Sequence, residues 1–409
     1  MRGVTLDPRT VGFLAAGGLA VAGTMAGQLG ATSATTQAAG TTQAAGTATA
    51  IFLTLMLLTA AVASAASNRL AARWGTLKTF GWAQGGVAAS WTIAGVIEAV
   101  TDSSLLVLFL AAPAFGVFSG VTAVLTPFAC RSHVNAGSMT DAVAKRSAVS
   151  GIAAILGSVI GGYVIHVTAP GVGIVANGLL TIPLAVFILF VRPGGAVTAP
   201  RVPTHAARAV VAALRSDRDL RRLAVLVAAF MIFVVPMVGM LVPILNDLDH
   251  SPLPSGAGLM LGGIGAGRLL VPGIVRWLRP RYREFTAAVR AVVATAAFMI
   301  LFAISAVPSF SDADLVVWTV IGIGIGASRF TTRAIMTGAA SSSMGPGRDL
   351  LGVTALVLVG AVTSAVGYLI WGLMIDLVSA PVTILVAAAA MIGVGVILGR
   401  AARRASPGT

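Results

Sequence analysis

Arg268 stands inside an otherwise uncharged apolar run, eight residues before Arg276. On a helix that spacing places it roughly 12 Å deeper than Arg276. A guanidinium at such a depth either snorkels back along its own stem or stays buried, facing an anionic substrate or a cluster of carbonyls. Arg329 precedes Arg333 by four residues, on the same helix face, and is open to the same two readings. If Arg268 and Arg329 converge, the interior they share is positive and suits anionic or zwitterionic cargo. Gln28 is an uncharged polar group in an apolar run. It could hydrogen-bond a substrate or tie two helices together. Phe115, Phe118, Phe230, Phe233, Met231 and Met237 could line an adaptable apolar cavity, or each could be core. The groups able to titrate for ion coupling are His166, Glu98 and Asp376, all near the ends of apolar runs.

The elements that carry these residues follow from where charge is missing. Between Arg9 and Arg69 there is no Lys, Arg, Asp or Glu, and uncharged runs of helix length recur to the C-terminus. Hydrophobic residues make up 57% of the 409 and charged residues 10%, against about 25% charged in a soluble domain. A charge at the centre of a bilayer costs roughly 2.5–3.5 kcal/mol or more, so this pattern is that of an all-α integral membrane protein. Twelve spans are expected, over residues 11–30, 48–67, 79–100, 104–128, 147–167, 171–191, 222–245, 257–276, 287–307, 314–337, 351–373 and 380–399. A membrane barrel would alternate apolar and polar residues in segments of about ten. These runs do not alternate.

Loop charges set the orientation. One set of connections holds Arg69, Arg73 and Lys78, then Arg131, Lys145 and Arg146, then the basic clusters after Arg192, Arg276, Arg333 and Arg400. The other holds Glu98, Asp102, Asp247, Asp249, Asp312, Asp314 and Asp376, with no Lys or Arg. Retained loops carry the basic excess, so both termini are expected in the cytoplasm. The net charge of +14 has the same origin, and no aromatic-plus-basic module points to nucleic acid. The first ten residues are short and polar, and the run from Val11 reads as a first span more than as a cleaved leader. A Pro- and Arg-rich stretch divides the chain into a six-span bundle at 1–192, a cytoplasmic linker at 193–221 and a second six-span bundle at 222–409. Paired halves of this kind place a binding site between them near the midplane.

Enzyme chemistry is not expected. There is no Gly-x-x-x-x-Gly-Lys-Ser/Thr, no Gly-x-Ser-x-Gly and no His-Glu-x-x-His. The Gly322-Ile323-Gly324-Ile325-Gly326 run lies in an apolar span, where it lets helices pack closely. The single Cys130 excludes a disulfide framework and a multi-cysteine metal site. No cofactor and no metal are expected.

Twelve spans, inward termini and a long central loop resemble the major facilitator superfamily. The loop after span two carries Asn68-Arg69-Leu70-Ala71-Ala72-Arg73-Trp74-Gly75-Thr76-Leu77-Lys78. Arg73 and Gly75 fit the family's Gly-x-x-x-Asp-Arg-x-Gly-Arg-Lys signature, which gates the cytoplasmic side, with Lys78 one place beyond its final Lys; Ala72 replaces its Asp. Span five carries Gly157-Ser158-Val159-Ile160-Gly161-Gly162, similar to the Gly-Pro-x-x-Gly-Gly of the family's exporters, and the same glycines suit plain helix packing. The stretch from Ala209 to Arg283 looks like the subgroup with siderophore and macrolide efflux pumps. The resemblance implies a secondary active exporter of a small, partly apolar and possibly anionic molecule, coupled to H+, acting as a monomer in a bacterial plasma membrane. The competing readings are an importer or facilitator of a sugar or metabolite, and a non-transporting membrane sensor or assembly partner.

Overall fold

The computed structural model describes residues 7–40, 42–101, 105–133, 139–191, 206–248, 253–306, 312–343 and 349–404. In the first half these form α1 (Pro8–Ala38), α2 (Thr42–Trp74), α3 (Thr76–Thr101), α4 (Leu105–His133), α5 (Met139–Val167) and α6 (Pro170–Phe190). Next comes α7 (Ala206–Ser216), then α8 (Arg218–Phe233), α9 (Val235–Gly239) and α10 (Leu241–Asp247). The chain continues as α11 (Leu253–Leu278), α12 (Glu284–Ser305), α13 (Asp312–Ser343), α14 (Asp349–Leu377) and α15 (Ala380–Arg404). Pro193, Pro200 and Pro203 of the expected linker, and Asp102 and Asp249 of the acidic loops, lie outside the described residues.

Eleven helices among the described residues are long and apolar enough to cross a membrane, and the protein is a multi-pass membrane protein. Their outward faces carry large apolar side chains such as Val62, Leu106, Leu110 and Phe190, exposed here and suited to lipid contact. Of the twelve expected spans, the third falls short of that measure. Its helix, α3, is 26 residues long but carries Gln84, Trp82, Ser90, Trp91 and four glycines. Trp82 is exposed, but part of the polarity is accommodated by protein. Gln84 and Thr79 are buried, and Trp91 stacks on Phe115 of α4 at 4.0 Å.

The expected seventh span is not one helix. It breaks at Val234 and at Met240, giving α8, α9 and α10. Pro236 and Pro243 explain this, since each removes an N–H from the helical ladder and its ring crowds the carbonyl one turn earlier. Elsewhere the helix ends are fixed by local chemistry. The Asp7 side chain accepts from the Arg9 N–H with Pro8 in the first turn, and Asp217 accepts from the Asp219 and Leu220 N–H groups to start α8. Gly75 alone joins α2 to α3, at a φ of +86° that an L side chain adopts at a cost.

Packing follows two groups of helices joined along two seams. In the first half α1 lies on α5 and α6, α3 on α4 and α6, and α2 on α4. In the second, α13 lies on α11 and α12, α12 on α15, and α8 on α14. The halves meet where α5 packs on α11 and α2 packs on α14. Small residues permit this closeness. A Cβ on Gly258 would collide with the Ser158 carbonyl, and one on Gly372 with Ala50 and the Gly46 carbonyl. The amphipathic α7 buries Val210 and Ala213, touches α2 and α14, and exposes Arg208 and Arg215.

Candidate substrate-binding site

Arg268 projects from the middle of α11, ten residues before its end at Leu278 and so roughly 15 Å along the axis. It is buried, with 8% exposure, and its Nε has no hydrogen-bond partner. Its guanidinium carbon lies 4.0 Å from the centroid of the Phe330 ring on α13. The adjacent Arg329 lies 5.7 Å from the same centroid. The two cations of the sequence therefore converge on one aromatic ring. Such a contact contributes about 0.5–2 kcal/mol. That does not offset burial of a guanidinium, which costs several kcal/mol per ion. No carboxylate completes an ion pair with Arg268 or Arg329 among the described residues.

Helix packing delivers this geometry. A Cβ on Gly267 would meet the Ile323 carbonyl, and one on Gly326 would meet the Ile264 carbonyl. The glycines of α11 and α13 thus bring the two backbones together just beside Arg268 and Arg329. On the other side of α11, Gly151 of α5 faces the Arg268 Cβ. Tyr368 of α14 is buried and sits within electrostatic reach of Arg329. Its hydroxyl occupies the space that a Cβ on Gly239, at the end of α9, would need. The site thus draws on α11, α13 and α14, with α5 of the other half alongside.

The remaining residues singled out from the sequence are dispersed. Phe115 is fully buried, stacked on Trp91 with Phe52 edge-on at 6.3 Å. Phe118 covers Gly86 of α3. Phe230 and Met237 are buried in the core, with Phe233 and Met231 packed against it. Gln28 is half-buried on α1. Among the titratable candidates, His166 is exposed in the last turn of α5, while Glu98 is buried near the end of α3. Asp376 is engaged across the α2–α14 seam, accepting from the Gly46 N–H at 3.0 Å, the Thr47 N–H at 2.7 Å and the Thr47 hydroxyl.

Of the helix-packing residues, Gly157 and Gly161 face Ala22 and Ala26 of α1, and Gly162 faces Gly258 of α11. Arg73 is exposed at the end of α2, next to the Gly75 turn. Near it, where the family signature has its first glycine, Asn68 is buried and donates to the Thr354 hydroxyl at 3.3 Å. Phe330 and Tyr368 were not singled out by the sequence. The available signals were that Phe330 directly follows Arg329, and that Tyr368 is one of three tyrosines in the chain.

The sequence model described as Major Facilitator Superfamily matches residues 10–348, most of the chain. The chain belongs to the major facilitator superfamily. Solved transporters share its fold. The human organic anion transporter MFSD10 (TETRAN) superposes with a TM-score of 0.65 at 18% identity, over 96% of this chain and 100% of that one. A D-xylose-proton symporter gives 0.72 at 12% identity, over 95% and 96%. The nucleoside transporter NupG gives 0.67 at 12% identity, over 96% and 98%. No curated protein matches this superfamily member by sequence. At these identities the likeness establishes the fold alone. What distinguishes this chain must come from its own residues, and among those singled out from the sequence Arg268 and Arg329 are the two that meet, at Phe330.

Proposed function

We propose that this protein is a secondary active exporter of a small, partly apolar anion, working by alternating access. The observation that carries this reading is Arg268, a buried guanidinium resting on Phe330 with no carboxylate partner among the described residues. An apolar interior does not hold such a cation without a countercharge arriving from somewhere. A carboxylate-bearing solute would supply it, with its apolar body against Phe330.

In this reading the chain crosses the membrane twelve times with both ends in the cytoplasm. The α8–α10 series forms the seventh span, and α3 is the protein-shielded third. Residues 1–192 and 222–409 rock as two six-helix bundles joined by the 193–221 linker. Export is favoured by the glycine series of α5, whose Gly157 and Gly161 fit against α1 and whose Gly162 fits against α11. Coupling to H+ is assigned to Asp376 or Glu98, and the exposed His166 is the weaker candidate. The protein is placed in a bacterial plasma membrane and works as a monomer.

Counterflow in right-side-out and inverted vesicles tests direction. Uptake of an aromatic carboxylate such as radiolabelled benzoate into inverted vesicles, driven by an imposed pH gradient, is the expected result. Uptake confined to right-side-out vesicles would assign the protein as an importer. Flux of neutral sugars with none of carboxylates would remove the anion reading.

A further inference from the structure

Arg268 and Arg329 are not the whole of the positive charge. Arg333, one turn from Arg329, and Arg146 on α5 both lie within electrostatic reach of Arg268. Arg333, exposed on α13, lies in turn within electrostatic reach of Arg146, Arg329 and Cys130. No carboxylate acts on any of Arg268, Arg329 or Arg333 among the described residues. Asp141, the acid on α5 nearest Arg146 in sequence, already pairs with Arg279 at 3.2 Å. Asp247 is committed to the start of α15, accepting from the Ala380 N–H at 2.7 Å, and Asp376 to α2. Arg333 is exposed and Arg146 and Arg329 are half-buried, so the charge least reached by water is that of Arg268, with Arg329 beside it, and among the described residues neither has a carboxylate partner.

One negative charge cannot balance both Arg268 and Arg329. We propose that the site takes an anion with two or more negative groups on a flat apolar body, one group held by Arg268 and another by Arg329 and its neighbours, the body lying over Phe330. The Arg268–Phe330 and Arg329–Phe330 distances put both guanidiniums at one ring, so two acidic groups on a single aromatic or short aliphatic frame can meet both. Bidentate guanidinium–carboxylate bonds suit this arrangement, and lysine would not reproduce their fork. The inference deepens the anion-exporter reading and rests on it.

The test is thermal stabilisation and equilibrium binding of the purified full-length protein with four probes: benzamide, benzoate, phthalate and inorganic phosphate. Phthalate is expected to bind at least tenfold tighter than benzoate, with benzamide and phosphate weaker than either. Arg329→Gln should weaken both ligands, phthalate at least fivefold more than benzoate, so that their ratio falls toward one, whereas Arg329→Lys should restore part of the gap. Equal binding of benzoate and phthalate to the wild-type protein would overturn the dianion inference while leaving the anion site standing. Failure of all carboxylates to bind would overturn both. Phosphate binding as tight as phthalate would remove the apolar body from the proposal. Should Arg329→Gln fold poorly, the wild-type ratio of phthalate to benzoate still decides the matter.

Discussion

Asp376, near the end of α14, holds Thr47, near the start of α2, through both its backbone N–H and its hydroxyl. The Gly46 N–H adds a third donor to the same carboxylate. Gly46 is required here, because a Cβ at that position would strike Asp376 Oδ1. A carboxylate on N–H groups near a helix start also complements the positive end of the helix dipole. The two halves are therefore clasped by charge at the end that carries the acidic loops. At the opposite end of the same seam, the contact between Asn68 and Thr354 is neutral. Asp376→Asn retains the shape and loses the charge. Hydrogen bonds to a charged group contribute about 1.5–3 kcal/mol, so the variant is expected to unfold at lower temperature in detergent, by an amount corresponding to about 2 kcal/mol. An unchanged unfolding midpoint would show that the clasp adds nothing to stability.

Arg268→Gln removes the buried charge and keeps most of the volume. The variant is expected to insert and purify as the wild type does, since no ion pair is broken. Transport of aromatic carboxylates should fall at least a hundredfold. Loss of a charge-assisted bond of about 3 kcal/mol produces a change of that order. Efflux comparable to wild type from a correctly inserted variant would move the substrate elsewhere.

The α5 glycines act at different distances from their neighbours. A Cβ on Gly157 would fall 2.3 Å from the Ala22 carbonyl oxygen, a backbone atom that cannot turn aside. Gly157→Ala should push α1 from α5 and cost about 1–3 kcal/mol, the usual range for overpacking. Gly85 on α3 has nothing within 4 Å, so Gly85→Ala should be neutral or stabilise by up to about 1 kcal/mol. Measuring expression and unfolding midpoints of the two side by side checks the assignment. Equal tolerance would refute the close α1–α5 contact.

Cys130 provides a native reporter. It is fully buried on α4, and Arg146 and Arg333 lie near it. In the state described, alkylation by N-ethylmaleimide should be at least tenfold slower than in denaturant. Bound phthalate should alter that rate, because Arg333 belongs to the same charged cluster. Reaction as fast as a free thiol in native membranes would mean that the packing around α4 is not the resting one.

Much of the architecture was legible because the bilayer imposes a strong rule on composition. Charge-free runs marked the helices, but the seventh was expected as one span over 222–245, and the breaks beside Pro236 and Pro243 were not anticipated. The α3 helix shows the limit of that rule. Its Gln84 and Trp91 look costly in lipid, yet α4 and α6 shield them. The candidate site was legible in part. Arg268 and Arg329 stood out as charges in apolar runs, but their meeting at Phe330 depends on close α11–α13 packing that no local spacing encodes. Phe115 illustrates the converse. An aromatic in a span looks the same in sequence whether it lines a cavity or, as here, closes a stack on Trp91. The Asp376 clasp was the least legible, since its donor lies 330 residues away at Gly46 and depends on how two distant helices cross.

The most direct test of alternating access at this site needs no knowledge of the cargo. With Cys130→Ser as background, Phe330→Cys is reacted with a membrane-impermeant methanethiosulfonate reagent applied from either side, in right-side-out and inverted vesicles. The account predicts labelling from both sides, slowed from each when phthalate is present. Labelling from one side only, whatever the ligand, would contradict it.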